Sequence, residues 1–219
     1  MKLIENNVDL GVTTLSKEFD NGSFAHTIFV MLAQREPTEH ELLLFERILI
    51  LMVDHGPNTN SSMVARTVAS AQVPLNNAVS AGLLSMGDMH GGAGKNLVPL
   101  LKDFNENTVK QLIIEKRMPG FGHRHYKMGD PRVRMMVHYM AEIGYKSEHL
   151  GLAEKVEDLF EEIKGKRIHL NIDGLLAVLL ADWDFNAEHG FSVFMISRIT
   201  GLVCQSVDAR GQGMIRNKE

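Results

Sequence analysis

The sequence predicts an all-α protein, and three observations carry that prediction. Apolar residues recur at helical spacing through most of the chain, several of these runs open on side chains that cap helices, and no alternating strand pattern extends beyond Arg167 to Ile172. Connections between the runs are short, with no internal repeat and no low-complexity linker, so about eight to ten helices would pack around one core. At 219 residues the chain is long enough for a substantial core. The pattern is weak before Thr38, which suggests a division into residues 1–37, an arm or short docking segment, and residues 38–219, the helical domain.

The elements follow in order. Thr38 with Glu41 three residues on reads as a capping box. The run from Leu42 to Val53 is apolar on nearly every side, so it should be buried on most of its circumference. It stops at Asp54-His55-Gly56-Pro57, because proline cannot continue a helix. Ser61 to Gln72 is rich in alanine and suited to close packing, and Pro74 opens a helix towards Met86. Further helices are expected from Gly92–Lys95 to Phe104 and from Thr108 to Arg117. Pro131 should start one reaching Ile143, and Ser147 should cap an amphipathic one carrying Leu150, Ala153, Val156, Leu159, Phe160 and Ile163. Ile172 to Asp182 and Ala187 to Asp208 complete the set.

Composition narrows the function classes. A net charge of −4 argues against nucleic acid as the main partner. No apolar run approaches the roughly 20 residues a membrane span needs. Met1 to Asp20 lacks a signal-peptide core. The single Cys204 excludes an internal disulfide and fits a reducing compartment, so a cytoplasmic location is expected. Gly91-Gly92-Ala93-Gly94-Lys95 imitates a phosphate loop but fails its spacing.

Histidine is in excess, with 10 in the chain. His40 and His149 fall on helix faces where they need no function. His55-Gly56, His90-Gly91-Gly92 and Gly122-His123 are different, because a helix interior has no use for glycine beside histidine; these three should sit at helix ends facing a cleft. The densest segment is Gly120-Phe121-Gly122-His123-Arg124-His125-Tyr126-Lys127-Met128-Gly129-Asp130-Pro131-Arg132. It sets a histidine between a glycine turn and basic side chains suited to an acidic ligand. Taken alone, Asp173 could cap a helix, His90 could satisfy a backbone carbonyl, and Arg198 could pair with Asp184 or Glu188. The His123-x-His125 pair, with Asp130 or His169, admits a metal reading, but no second paired motif supports it, and no metal is expected.

The order of the motifs resembles the citrate synthase family, which includes citryl-CoA lyases and the lyase module of ATP-citrate lyase. Five segments carry the resemblance: Asp54–Asn58, Ser85–Ala93, Gly120–Arg132, Leu170–Gly174 and Ser197–Gly201. It implies a citrate synthase-like helical fold, in a compact version lacking much of the N-terminal region, since only 54 residues precede His55. It also implies His90, His123 and Asp173 as catalytic residues, with Asp173 the base that exchanges a proton with the acyl methyl group. His55, Arg132, Arg198 and Arg216 would bind substrate carboxylates, Arg216 reaching a neighbouring subunit, with Arg210 a weaker choice. Gly120, Phe121, Gly122, Arg124 and Lys127 would hold coenzyme A, which serves as a thioester substrate or product; no tightly bound cofactor is implied. The expected partners are small molecules and further copies of the chain in a homodimer or higher homo-oligomer, with no nucleic acid or membrane.

Two details bear on the reaction. Gly82-Leu83-Leu84-x-x-Gly87-Asp88-x-x-Gly91-Gly92-Ala93 and Leu170-Asn171-Ile172-Asp173-Gly174 look more like citryl-CoA lyases, whereas His90 is the synthase-type residue. His125 stands where the family usually has Val or Ile. The resemblance therefore implies cleavage of citryl-CoA, or a close 3-hydroxy-3-carboxyacyl-CoA, to acetyl-CoA and oxaloacetate. A compact citrate or 2-methylcitrate synthase and a non-catalytic acyl-CoA-binding subunit are the alternatives.

Overall fold

A computed structural model describes residues 22–215, and these form ten helices with no named strand. The chain divides into two compact units, residues 1–47 and 48–219. In the first, α1 (Phe24–Ala33) is capped by Ser23, whose side chain accepts from the His26 amide. The stretch with the weakest sequence pattern therefore holds a helix. The Thr38–Glu41 capping box forms as expected. The Thr38 amide donates to Glu41 Oε2 (2.7 Å), and the Glu41 amide donates to Thr38 Oγ1 (3.2 Å). Arg35 closes this corner on Glu41 and lies over the Phe29 ring, which meets Phe45 edge-on.

Helix α2 (Glu39–Met52) differs from the expectation of near-complete burial. Glu41, Leu44, Phe45, Ile48 and Met52 are buried, an i, i+3, i+4 stripe, while Glu46, Arg47 and Ile50 are exposed. The apolar run is amphipathic because two charged residues and Ile50 share the remaining face.

The second unit continues with α3 (Asn60–Ser70), α4 (Leu75–Leu84), α5 (Ala93–Lys102), α6 (Glu106–Ile114), α7 (Pro131–Glu142), α8 (Glu148–Lys164), α9 (Ile172–Asp182) and α10 (Ala187–Gly211). Here α9 is the helix buried all round, with every residue from Gly174 to Ala181 inside. It packs against α5, α7, α8 and α10. Helix α10 spans 25 residues and also packs against α3, α4 and α5. By length and composition α10 is apolar enough to cross a membrane, contrary to the expectation that no run is. In this fold it is a core helix that buries Arg198 and Ser197. Outside the helices, Phe121 pairs with Leu170 and Gly87 with His90 and Gly91 in isolated bridges, which bring the loops at the ends of α4, α6 and α8 inward.

A candidate active site between two loops and the last helix

Turns and the ends or faces of four helices, α3, α7, α9 and α10, converge on a cavity of about 310 Å³. Its lining includes His55, His90, His123, Arg132, Asp173 and Arg198, together with Arg124 and His125. Residues more than 140 positions apart in the chain therefore meet at one place. The charge is lopsided: three arginines and four histidines face one carboxylate, which suits an anionic ligand.

The two histidine loops are docked on α10 by bare backbone. A Cβ on Gly201 would lie 2.1 Å from the Val53 carbonyl oxygen, and one on Gly91 would lie 2.5 Å from the Phe194 ring. These close approaches fix the residues just before His55 and just after His90. The His90 ring then meets α3: Nε2 is 2.8 Å from Ser61 Oγ and accepts from the Ser61 amide at 3.4 Å. An amide can only donate, so the His90 proton sits on Nδ1. Burial, aided by Arg198, lowers its pKa and keeps the ring neutral. The alternative reading, a His90 that satisfies a backbone carbonyl, gives way to this serine contact.

Arg198 is 3% exposed. Its Nε donates to the Met52 carbonyl at 3.0 Å, and its guanidinium lies 4.8 Å from the Phe194 ring centroid. Nη1 is buried without a hydrogen-bond partner in the protein. Asp184 and Glu188, the partners considered from sequence, instead pair with Lys102 and Lys95. A buried cation with an unsatisfied donor at a cavity wall is matched to a carboxylate.

The opposite wall is held by hydrogen bonds. His123 Nδ1 accepts the amides of His125 (3.0 Å) and Tyr126 (3.1 Å), so its proton is on Nε2. The ring stacks on Tyr126 and meets His55 edge-on at 5.1 Å. Burial lowers the His123 pKa, with Asp130 opposing and Arg132 assisting. His55 is pushed down to about 4, first by burial and then by Arg132, His123 and Arg198. Asp173 lies in the first turn of α9 but does not cap it. Asn171 does, accepting from the Gly174 amide, while its Nδ2 donates to the Gly122 carbonyl (2.8 Å). The Asp173 carboxyl is left with no hydrogen bond among the described residues. Burial raises its pKa against the pull of Arg132 and Arg198.

The coenzyme A candidates separate. Arg124 lines the main cavity. Lys127 donates to the His123 carbonyl and lines an adjoining hollow of about 110 Å³ with Lys166 and Arg167. Phe121 turns the other way, packing near Phe160 and lining a hollow of about 370 Å³ rimmed by Lys116, Lys164 and Lys166. Gly120 is buried, its carbonyl accepting the Asn171 amide, and the Gly122 amide donates to the His169 carbonyl. Arg216 lies outside the described residues. Arg210 bonds the Val73 carbonyl and does not line the cavity. Sequence reasoning missed Ser61, Thr59, Asn60 and Phe194. Phe194, one turn before Arg198 on α10, is the one that helical spacing could have disclosed.

Comparison with known proteins gives the family. A model of the citrate synthase C-terminal domain matches residues 6–218. The citrate synthase of Deinococcus radiodurans is 28% identical over 193 residues, covering 84% of this chain and 51% of its own length. The chain thus spans about half the length of the curated relatives it matches. Among solved structures, citryl-CoA lyase from Hydrogenobacter thermophilus superposes with a TM-score of 0.82 at 33% identity, covering 91% of this chain and 80% of that one. Citrate synthase from Thermotoga maritima gives 0.73 at 25%, covering 90% and 56%.

Proposed function

The chain belongs to the citrate synthase family, and from that premise we propose that its cavity cleaves citryl-CoA, or a close 3-hydroxy-3-carboxyacyl-CoA, to acetyl-CoA and oxaloacetate. The observation that carries the proposal is the meeting of a half-buried Asp173, without a hydrogen bond among the described residues, with His90, His123 and the unsatisfied Nη1 of Arg198 in one cavity.

The chemistry follows from what each atom offers. Cleavage breaks the bond between the substrate's α-carbon and its hydroxyl-bearing carbon. The electron pair passes to the thioester as an enol or enolate, the alcohol becomes a ketone as its hydroxyl proton leaves to water, and a proton must reach the α-carbon. Burial favours the protonated form of Asp173, which makes it suited to deliver that proton. The Nδ1–H of His90 is a neutral donor for the developing thioester oxyanion. The Nε2–H of His123 serves the oxygen of the hydroxyl or ketone. Arg132 and Arg198, with His55 beside them, take the substrate carboxylates. Arg124 and Lys127 would take coenzyme A phosphates, and Arg216 would complete a neighbouring site in a homodimer.

Identity of 33% with a citryl-CoA lyase and the Asn171-Ile172-Asp173-Gly174 form of the carboxylate motif favour cleavage. The synthase-type His90 and the many relatives named citrate synthase support condensation of an acyl-CoA with oxaloacetate as the second reading. Purified protein with citryl-CoA, coupled to malate dehydrogenase, tests the first; acetyl-CoA plus oxaloacetate with a free-thiol readout tests the second. Oxaloacetate release without thiol release identifies a lyase. Thiol release from the second mixture identifies a synthase, and silence in both leaves an acyl-CoA-binding subunit.

A further inference from the structure

Asp130 is the charged residue of the site that no substrate role uses. It is 2% exposed, yet it does not line the cavity. Its carboxylate accepts four hydrogen bonds. Oδ1 takes the backbone amide and Nε of Arg132, both at 3.0 Å. Oδ2 takes Nη2 of Arg132 at 2.7 Å and the amide of Ile172 at 3.3 Å. One buried side chain therefore caps α7, grips one edge of the Arg132 guanidinium, and ties that grip to the residue immediately before Asp173.

This arrangement resolves an electrostatic conflict. Arg132 must offer a cation to a substrate carboxylate, and Asp173 must remain free to exchange a proton. In a poorly solvated site the two would form an ion pair, which would hold Asp173 ionised and its oxygens occupied. A guanidinium gripped through Nε and Nη2 keeps its far end, the Nη1 protons and the second Nη2 proton, for other anions. We propose that Asp130 is a positioning residue, the built-in counter-ion of Arg132, which keeps Arg132 from capturing Asp173 and so leaves the Asp173 carboxyl available to the substrate.

The charged groups around Asp173 come from every side. Arg132 stands on α7 and Asp130 caps it, Arg198 is on α10, and His55, His90 and His123 are on the turns. Burial raises the Asp173 pKa, both arginines oppose it, and Asp130 supports it. Asp130 itself is pushed up by burial, which the bonds to Arg132 outweigh, so its pKa falls below the usual value and it stays charged.

This inference rests on the reading of Asp173 as the proton-exchanging group, and its main test needs no turnover. Protein labelled with ¹³C at aspartate carboxyls, with the Asp173 signal identified from Asp173→Asn, is titrated in the wild-type and Asp130→Asn forms. Asparagine keeps a capping oxygen for α7 but removes the charge. The Asp173 midpoint should fall in Asp130→Asn; a midpoint unchanged or raised overturns the proposal. If Asp130→Asn does not fold, Arg132→Gln serves in its place and should raise the Asp173 midpoint, with no rise overturning it. If the proposed activity is present, Asp130→Asn should also lower kcat by about tenfold or more. The limb of its pH profile due to Asp173 should move to lower pH. Lower kcat with an unmoved limb would show that Asp130 is only a helix cap. A fall of the Asp173 midpoint in a protein without citryl-CoA turnover would sustain the counter-ion and remove the proposed reaction.

Discussion

The two walls of the cavity are held in place by different forces. On the α10 side, glycines let backbone touch backbone or ring: Gly201 against Val53, Gly91 against Phe194, and Gly190 against Gly94, where an added Cβ would come within 2.7 Å. On the side of residues 120–132 and 171–173, hydrogen bonds do most of the positioning, through Asn171, Asp130 and the two amides on His123 Nδ1. Close glycine contacts also occur there, the tightest putting a Cβ on Gly174 2.2 Å from the Gly120 carbonyl oxygen. A wall set by contact admits no extra atom but is indifferent to charge. A wall set by hydrogen bonds accepts small changes of volume and fails when a donor, an acceptor or a charge changes.

The largest effect expected from this contrast is at Gly201. Gly201→Ala must move the Val53–His55 turn, because the Val53 carbonyl cannot share the space of the methyl group. Overpacking of this kind costs about 1–3 kcal/mol, seen as a lower thermal midpoint, and turnover should be largely lost as His55 shifts. Full activity in Gly201→Ala would break the account of this wall. Next comes Asn171→Ala on the other wall, which deletes an N-cap and the link to the Gly122 carbonyl. Chemical denaturation should show a loss of about 1–2 kcal/mol, with kcat reduced and no rescue by larger apolar residues.

A smaller effect is expected from pH. The fold holds His55 at about 4 against an ordinary 6.5, so between those values the unfolded chain binds a proton that the folded chain refuses. Stability should therefore be level above 6.5 and fall as the pH drops towards 4. Denaturation of wild type and His55→Gln at pH 7 and pH 4.5 should show a shallower acid loss in the variant; equal losses would contradict the burial of His55. Smallest is Gly211→Ala at the end of the same α10, where a Cβ meets nothing within 4 Å. It should gain up to about 0.5 kcal/mol from helix propensity, in contrast with Gly201→Ala ten residues earlier.

Much of the fold could be read from the chain because its helices are punctuated by local chemistry. Thr38 with Glu41, Ser147 and Pro131 act within three residues of themselves, and the structure uses each as expected. Helix α1 was harder to foresee, since its cap at Ser23 precedes a run with no charged residue to mark a face. The partial exposure of α2 depends on which elements cover it, which no local pattern records. In the site, the motif order singled out His55, His90, His123, Arg132, Asp173 and Arg198, and all six line one cavity. Phe121, which the resemblance implied at coenzyme A, points instead towards Phe160. Gly120 and Gly122 adopt φ of +80° and +77°, so the chain reverses on either side of Phe121 and sends its ring to the apolar cluster of Val109, Ile113 and Phe160. Ser61 escaped notice because nothing in its helix announces a histidine 29 residues away.

Turnover of citryl-CoA by wild type and Asp173→Asn, with coenzyme A binding measured in parallel, tests the central claim most directly. The account predicts that the substitution removes turnover by a factor of about 10² to 10⁴ while binding stays within a few-fold. Undiminished turnover in Asp173→Asn would contradict it.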